Sequence, residues 1–137
     1  IGLTQDSSGD RQKALEAYNQ ALPLLRTVGE RQGEARTLNN LGFAYDALGN
    51  KTEALKFHEQ ALKISREVGD RLREAKVRYG IARVESSRNN LRTARSQIQD
   101  AIKIVESLRA NLSSPELRAS YRASVQQYYD LYIDVLM

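Results

Sequence analysis

Apolar residues return at intervals of three and four through most of this chain, the spacing that places them on one face of an α-helix. Two such stripes follow one another in the middle of the sequence, the first at Leu38, Leu41, Gly42, Tyr45 and the second at Ala54, Leu55, His58, Ala61, Leu62, Ser65. The pattern predicts helices at 10–28, 31–48, 51–68, 71–88 and 90–111, joined by short turns. The chain is therefore expected to be entirely α-helical.

Capping residues support these bounds. Asp10, Asn50 and Asp70 stand where side chains cap the first turn of a helix, and Gly29 and Gly69 follow the positions where helices should end. A proline inside the first helix, Pro23, removes one backbone hydrogen bond, so we expect a kink or an early end near it.

A last helix is predicted after Asn111. Ser114-Pro115-Glu116 combines an N-cap, a proline at the first helical position and an acidic residue beside the positive end of the helix dipole. The apolar stripe that follows consists of Leu117, Tyr121, Val125, Tyr128, Tyr132 and Val135. Because a tyrosine stripe at helical spacing is more often core than a partner surface, we expect this helix to pack over the last repeat or to join the stack to a further domain.

The sequence repeats itself every forty residues. Residues 9–48 align with residues 49–88 without a gap, and a weaker third copy continues through Ala94 and Ala101. A period of this length indicates stacked two-helix units, each too small to bury its own apolar face. Alanines at 21, 61 and 101 are expected to mark contacts between neighbouring helices.

Seven residues of the middle unit stand in the order and spacing of the tetratricopeptide repeat: Leu38, Leu41, Gly42, Tyr45, Gly49, Ala54, Ala61. The forty-residue unit, with Asn39-Asn40-Leu41-Gly42 in its first helix, resembles the kinesin-light-chain and spindle-orientation subtype. The resemblance implies an all-α, right-handed solenoid of antiparallel helix hairpins. It places the repeats in residues 1–111 and a capping or linker helix in residues 112–137.

The third unit departs from the family pattern at Ala82, Glu85 and Arg95, so we expect it to pack less regularly. The tail from Ser107 to Tyr129 resembles the segment that precedes the caspase-like CHAT domain in bacterial repeat proteins, notably cyanobacterial ones. Since the chain also opens without Met and within a repeat, we expect it to be part of a longer protein. An alternative function is then a self-associating structural or regulatory arm of a CHAT-type protease.

Composition narrows the function classes. The chain has 41% hydrophobic and 28% charged residues, no cysteine and no long apolar run, which indicates a soluble, non-membrane protein, with the cytoplasm as its expected location. Its net charge of +4 is spread along the chain without a dense basic run, so nucleic acid is not an expected partner. The single histidine, His58, lies on an apolar stripe and is expected to pack there. We predict no metal, no cofactor and no catalysis.

In the tetratricopeptide family the first helix of each unit lines a concave groove that receives a peptide or a partner helix. The positions that the resemblance maps to this groove are Arg36, Asn39, Asn40, Phe43, Asp46, Lys76, Tyr79, Arg83 and Ser86. Asparagine can pair with both the N–H and C=O of a bound backbone, and basic side chains can hold carboxylates. An acidic peptide is the matching ligand. Two alternatives stay open: these residues are simply solvated, or the chain self-associates through exposed ends of the stack.

Overall fold

A computed structural model describes residues 7–137, and all secondary structure in this range is α-helical. The helices are α1 (Ser7–Val28), α2 (Arg31–Ala47), α3 (Lys51–Val68), α4 (Arg71–Ser87), α5 (Leu91–Ala110) and α6 (Pro115–Leu136). The bounds of α2 to α5 lie within one residue of those predicted. The first residues of the chain, 1–6, lie outside the described range.

Local capping explains this agreement. The side chains of Asn50 and Asp70 accept hydrogen bonds from the backbone N–H groups of Glu53 and Arg73, at 3.3 and 3.0 Å. Gly69 ends α3 in the left-handed conformation, with φ of 74°. The prediction that Asp10 caps a helix is wrong, because α1 begins at Ser7 and places Asp10 in its first turn.

The first helix continues through its proline. Of the two outcomes expected at Pro23, an early end is wrong, since α1 runs on to Val28. The Thr27 hydroxyl donates to the Pro23 carbonyl at 2.8 Å. The last helix begins as predicted, with the Ser114 hydroxyl accepting from the backbone N–H groups of Glu116 and Leu117.

The helices pack as a stack of antiparallel hairpins. Each helix contacts the next along the chain, and α2 with α3 and α4 with α5 form the closest pairs. The first helices of successive units also contact one another, α2 with α4 and α4 with α6. These three helices form one layer of the stack, called the inner layer below, and the fold is an all-α solenoid of the tetratricopeptide type.

The interior follows the predicted stripes. Leu38, Leu41, Ala61, Ile98 and Ala101 have no measurable solvent exposure. Ala61 and Ala101 therefore lie at helix contacts as predicted, where a small side chain permits close approach. One apolar cluster joins α1 to α4, and a second joins α4 to α6.

Candidate functional site

A groove of about 360 Å³ opens on the inner layer, between α2, α4 and α6. Its lining residues are Asn39, Asn40, Phe43, Arg73, Lys76, Tyr79, Arg83, Gln127 and Tyr128. Six of the nine residues predicted to line the groove are brought together here by two helices that are 40 residues apart in sequence: Asn39, Asn40, Phe43, Lys76, Tyr79, Arg83.

Aromatic rings cross the groove from α2 to α6. The ring centroids of Phe43 and Tyr79 are 6.4 Å apart, and Tyr79 stacks on Tyr128 at 4.8 Å. The Arg83 guanidinium lies over the Tyr79 ring, 5.9 Å from its centroid. Burial and the neighbouring Tyr79 raise the pKa of Tyr128 to about 12, so this phenol stays neutral. The groove therefore offers a rigid apolar surface beside its charges.

Three cations of α4 line the groove, and Arg73 also borders an adjoining depression that contains the Glu30 and Asp70 carboxylates. None of Arg73, Lys76 and Arg83 pairs with an acidic side chain in residues 7–137. None of the described residues that line the groove is acidic. The Nε atom of Arg73 is also buried without a hydrogen-bond partner among these residues. The groove is consequently an electropositive surface that a carboxylate can complement.

The prediction that the Asn39 amide is exposed in the groove is wrong. Its side chain is 2% exposed, and its Oδ1 atom lies 2.8 Å from Nδ1 of His58. The geometry fits Nδ1–H donating to Oδ1, which commits the amide oxygen to the core. Asn40 is only half-buried and makes no side-chain hydrogen bond within residues 7–137, so its amide is the one available to a ligand.

His58 ties the groove to the core of the stack. Its ring is fully buried and fits between the backbones of α2 and α4, where a Cβ atom added at Gly42 or Gly80 would lie 2.6 or 2.5 Å from it. Phe43 meets the ring edge-on at 4.8 Å. Burial lowers the pKa of His58 to about 4; Arg83 adds to this effect and Asp46 opposes it. The prediction that His58 packs in the interior is confirmed.

Three predicted residues do not line the groove. The prediction of an exposed Asp46 is wrong, because this carboxylate is buried in an ion pair with Lys51 across the turn between α2 and α3. Arg36 is exposed, but it lines an adjoining depression of about 280 Å³ that it shares with Arg73 and the capping carboxylates of Glu30 and Asp70. Ser86 is half-buried and does not line the groove.

Sequence reasoning missed Arg73, Gln127 and Tyr128. Arg73 precedes Lys76 by three residues on one helix, so helical spacing placed it on the same face. Gln127 and Tyr128 reach the groove only because α6 takes the next inner-layer position. No local sequence pattern predicts where α6 docks.

A family model described as Tetratricopeptide repeat matches residues 2–67 and, in a second overlapping match, residues 33–107. The chain belongs to the tetratricopeptide repeat family. Repeats of this family generally mediate protein–protein interactions and are typically non-catalytic. No curated protein matches the sequence.

Among solved structures, the chain is similar to the crystal structure of BtubC (BKLC) from P. vanneervenii, with a TM-score of 0.68 and 20% sequence identity. The match covers 93% of this chain and 52% of that one. At this identity the likeness establishes the fold alone, and the chain spans about half the length of the BtubC chain. None of the helices in residues 7–137 is both long and apolar enough to cross a membrane.

Proposed function

We propose that the inner-layer groove binds an extended acidic segment of a partner protein. The main supporting observation is the charge of the lining: Arg73, Lys76 and Arg83 all line the groove, and none of the described lining residues is acidic. Membership of a family of protein-interaction repeats indicates the class of function, and the positive charge of the groove indicates that the ligand is acidic.

The mechanism is pre-organisation of a rigid surface. His58 fixes α2 against α4, so the groove is already formed before a ligand arrives, and the cost of ordering falls mainly on the bound segment. Arg73 and Arg83 can hold carboxylates through paired N–H groups, while the Asn40 amide can pair with the bound backbone. Phe43 and Tyr79 provide apolar contact between these polar groups.

The finer assignments made from the sequence stay predictions. They are the kinesin-light-chain-like subtype, the division at residue 111, a cytoplasmic location and the place before a CHAT domain. The docking of α6 against the repeats supports treating the last helix as part of the interaction module. If the CHAT prediction holds, this module is the docking arm of a larger protease and carries no turnover itself.

The test is fluorescence anisotropy with labelled twelve-residue peptides, each made in an acidic form and in a form with every Asp and Glu replaced by Asn and Gln. We compare the wild type with R73A/K76A/R83A. The matched control, K56A/K63A/K103A, removes the same charge from exposed positions of α3 and α5 that have no acidic partner in the described residues. Each charge-assisted hydrogen bond is worth about 1.5–3 kcal/mol, so the groove variant should lose about tenfold or more in affinity.

The control variant should bind the acidic peptides within about twofold of wild type, because general charge attraction contributes much less than local contacts at physiological salt. Equal binding by both variants, or equal binding of the neutral peptides, would contradict the proposed function.

A further inference from the structure

A depression of about 370 Å³ lies between the last turn of α5 and the first two turns of α6. Three of its four lining residues are arginines, Arg109, Arg118 and Arg122, and the fourth is Ala110. None of the described residues that line it is acidic. It lies between two helices that pack against each other, and it shares no lining residue with the inner-layer groove. The depression is therefore a separate, strongly cationic feature of the surface.

Two of the three guanidinium groups are held by partners outside the depression. Arg118 donates through Nε to the Leu112 carbonyl at 2.9 Å, so its two terminal nitrogens are left for another acceptor. Arg109 pairs through one terminal nitrogen with Glu106 at 2.5 Å, and the same carboxylate accepts the Tyr129 hydroxyl at 2.8 Å. Both arginines are thus oriented before a ligand arrives, and each keeps N–H groups that can bind one.

Arg122 has no such structural partner. It is exposed, pairs with no acidic side chain in residues 7–137, and lies one turn after Arg118 on the same side of α6. Like charges four residues apart on a helix repel each other, and Arg109 adds a third positive charge at the same place. The cluster is therefore unfavourable by itself, and an anion held between the three guanidinium groups would relieve the repulsion.

The number of positive charges favours a phosphate group over a carboxylate. A carboxylate carries one negative charge and would leave most of the cluster uncompensated. A phosphate monoester carries about 1.5 to 2 negative charges at pH 7, and its three oxygens match the paired N–H groups of arginine. The acidic side chains at these two helix ends, Glu106 and Glu116, each already accept a hydrogen bond, and neither lines the depression.

We propose that this depression binds a phosphate group, either as the free ion or as the monoester of a small molecule. Arg118 and Arg122 hold its oxygens from α6 and Arg109 holds them from α5, so the ligand bridges the two helices. The proposal does not depend on peptide binding in the groove, because the two sites have no residue in common.

NMR of the arginine Nε–H signals tests the site, with ¹⁵N-labelled protein titrated with inorganic phosphate at constant ionic strength. Glycerol 3-phosphate is titrated in parallel, which distinguishes the free ion from a monoester. Wild type is compared with R118A/R122A and with the matched control R92A/R95A. Arg92 and Arg95 are also exposed, one turn apart and without an acidic partner in residues 7–137, but they line a depression that has no third arginine.

At least one of the two ligands should shift the Arg109 signal in wild type and in R92A/R95A with equal affinity. In R118A/R122A the affinity should fall about tenfold or more, because charge-assisted hydrogen bonds from two side chains are lost. Equal weakening in R92A/R95A would mean that phosphate responds only to net charge, and it would overturn the proposal. A wild type in which neither ligand shifts the signals of these arginines would overturn it as well.

Arg122→Ala gives a second readout, in which stability and binding change in opposite directions. In phosphate-free buffer this variant should raise the midpoint of thermal unfolding by about 1–2 °C, because it removes the repulsion with Arg118 and introduces a stronger helix former. Added phosphate should raise the midpoint of wild type more than that of the variant. A variant that gains as much from phosphate as wild type does would overturn the proposed role of Arg122.

Discussion

The hairpins α2–α3 and α4–α5 share one backbone arrangement and fill it with different side chains. At positions forty residues apart, Leu38, Tyr45 and Phe57 of the first hairpin correspond to Arg78, Glu85 and Gln97 of the second. In the first hairpin, the rings of Tyr45 and Phe57 stack in parallel with centroids 5.3 Å apart. The interior of this unit is thus held by apolar and aromatic contact.

The second hairpin replaces that contact with a polar network. Arg78 pairs with Glu74 at 3.0 Å and with Asp100 at 3.7 Å, and donates to Gln97 at 2.9 Å. The arginine and Glu74 are both largely buried, and together these partners satisfy the guanidinium. The comparison shows that the repeat requires a filled position rather than an apolar one. The two units should therefore respond differently to truncation, acid and salt.

Truncation of an interior side chain should produce the largest difference in unfolding free energy between the two hairpins. Leu38 has no solvent exposure, so Leu38→Ala should lower the free energy of unfolding by about 2–5 kcal/mol through lost burial and a cavity. Arg78→Ala should cost less, because Glu74 keeps 14% of its side chain exposed and Asp100 keeps 46%, so both carboxylates can regain water. Urea unfolding measures both, with the exposed Leu24→Ala as the control expected near zero. An Arg78→Ala loss equal to that of Leu38→Ala would show that the network is not interchangeable with apolar contact.

Acid should weaken the first hairpin selectively. The pKa of His58 is lowered by burial from 6.5 to about 4, so the folded chain binds fewer protons than the unfolded chain between these values. Stability contributed by neutral His58 is complete above pH 6.5 and is lost as the pH falls toward 4, by about 3 kcal/mol. The equivalent residue in the second hairpin, Ile98, has no such dependence.

The measurement is the free energy of urea unfolding from pH 7 to pH 4, for wild type and His58→Gln. Carboxylates titrate in both proteins, so the difference between their two pH slopes isolates the histidine. Hydrogen exchange at pH 5 should show α2 and α3 opening before α5. Parallel pH slopes in the two proteins would mean that His58 is already solvated or paired in its charged form.

The same contrast explains which features the sequence alone could predict. Helix bounds depend on local caps such as Asn50 and Asp70, which act within four residues, and the forty-residue period indicates the stack directly. The residues that line the groove were harder to predict from the sequence, because Asn39 and Asn40 are adjacent and only one of the two side chains can face solvent. His58, nineteen residues away, selects Asn39 for the core through a tertiary contact. The positions of Gln127 and Tyr128 likewise depend on where α6 docks.

The glycine that faces His58 provides a third test. Gly42→Ala would place a methyl group 2.6 Å from a ring that Gly80 confines on its other side, so we expect a loss of about 1–3 kcal/mol from overpacking. The second hairpin has Ala82 and Ile98 at the corresponding positions, both fully buried. Thermal unfolding of Gly42→Ala, His58→Ile and the double variant completes a mutant cycle.

The double variant reproduces the pair found in the second hairpin, so its loss should be smaller than the sum of the two single losses. Additive losses would indicate that the alanine methyl clashes with backbone or with side chains other than the histidine ring.

The smallest expected difference between the two hairpins is in how the coupling energy of an interior contact changes with salt. A double-mutant cycle on Arg78 and Glu74 should give a coupling of about 1 kcal/mol at low salt, since the pair is close and mostly buried. A cycle on Tyr45 and Phe57 should give about 0.5–1.5 kcal/mol from ring stacking. The Debye length falls from about 10 Å at 0.1 M salt to about 3 Å at 1 M, so only the first coupling should decrease. If the Arg78–Glu74 coupling stays constant in 1 M salt, the pair acts through directional hydrogen bonds that are shielded from ions. Both hairpins would then be stabilised by short-range contacts.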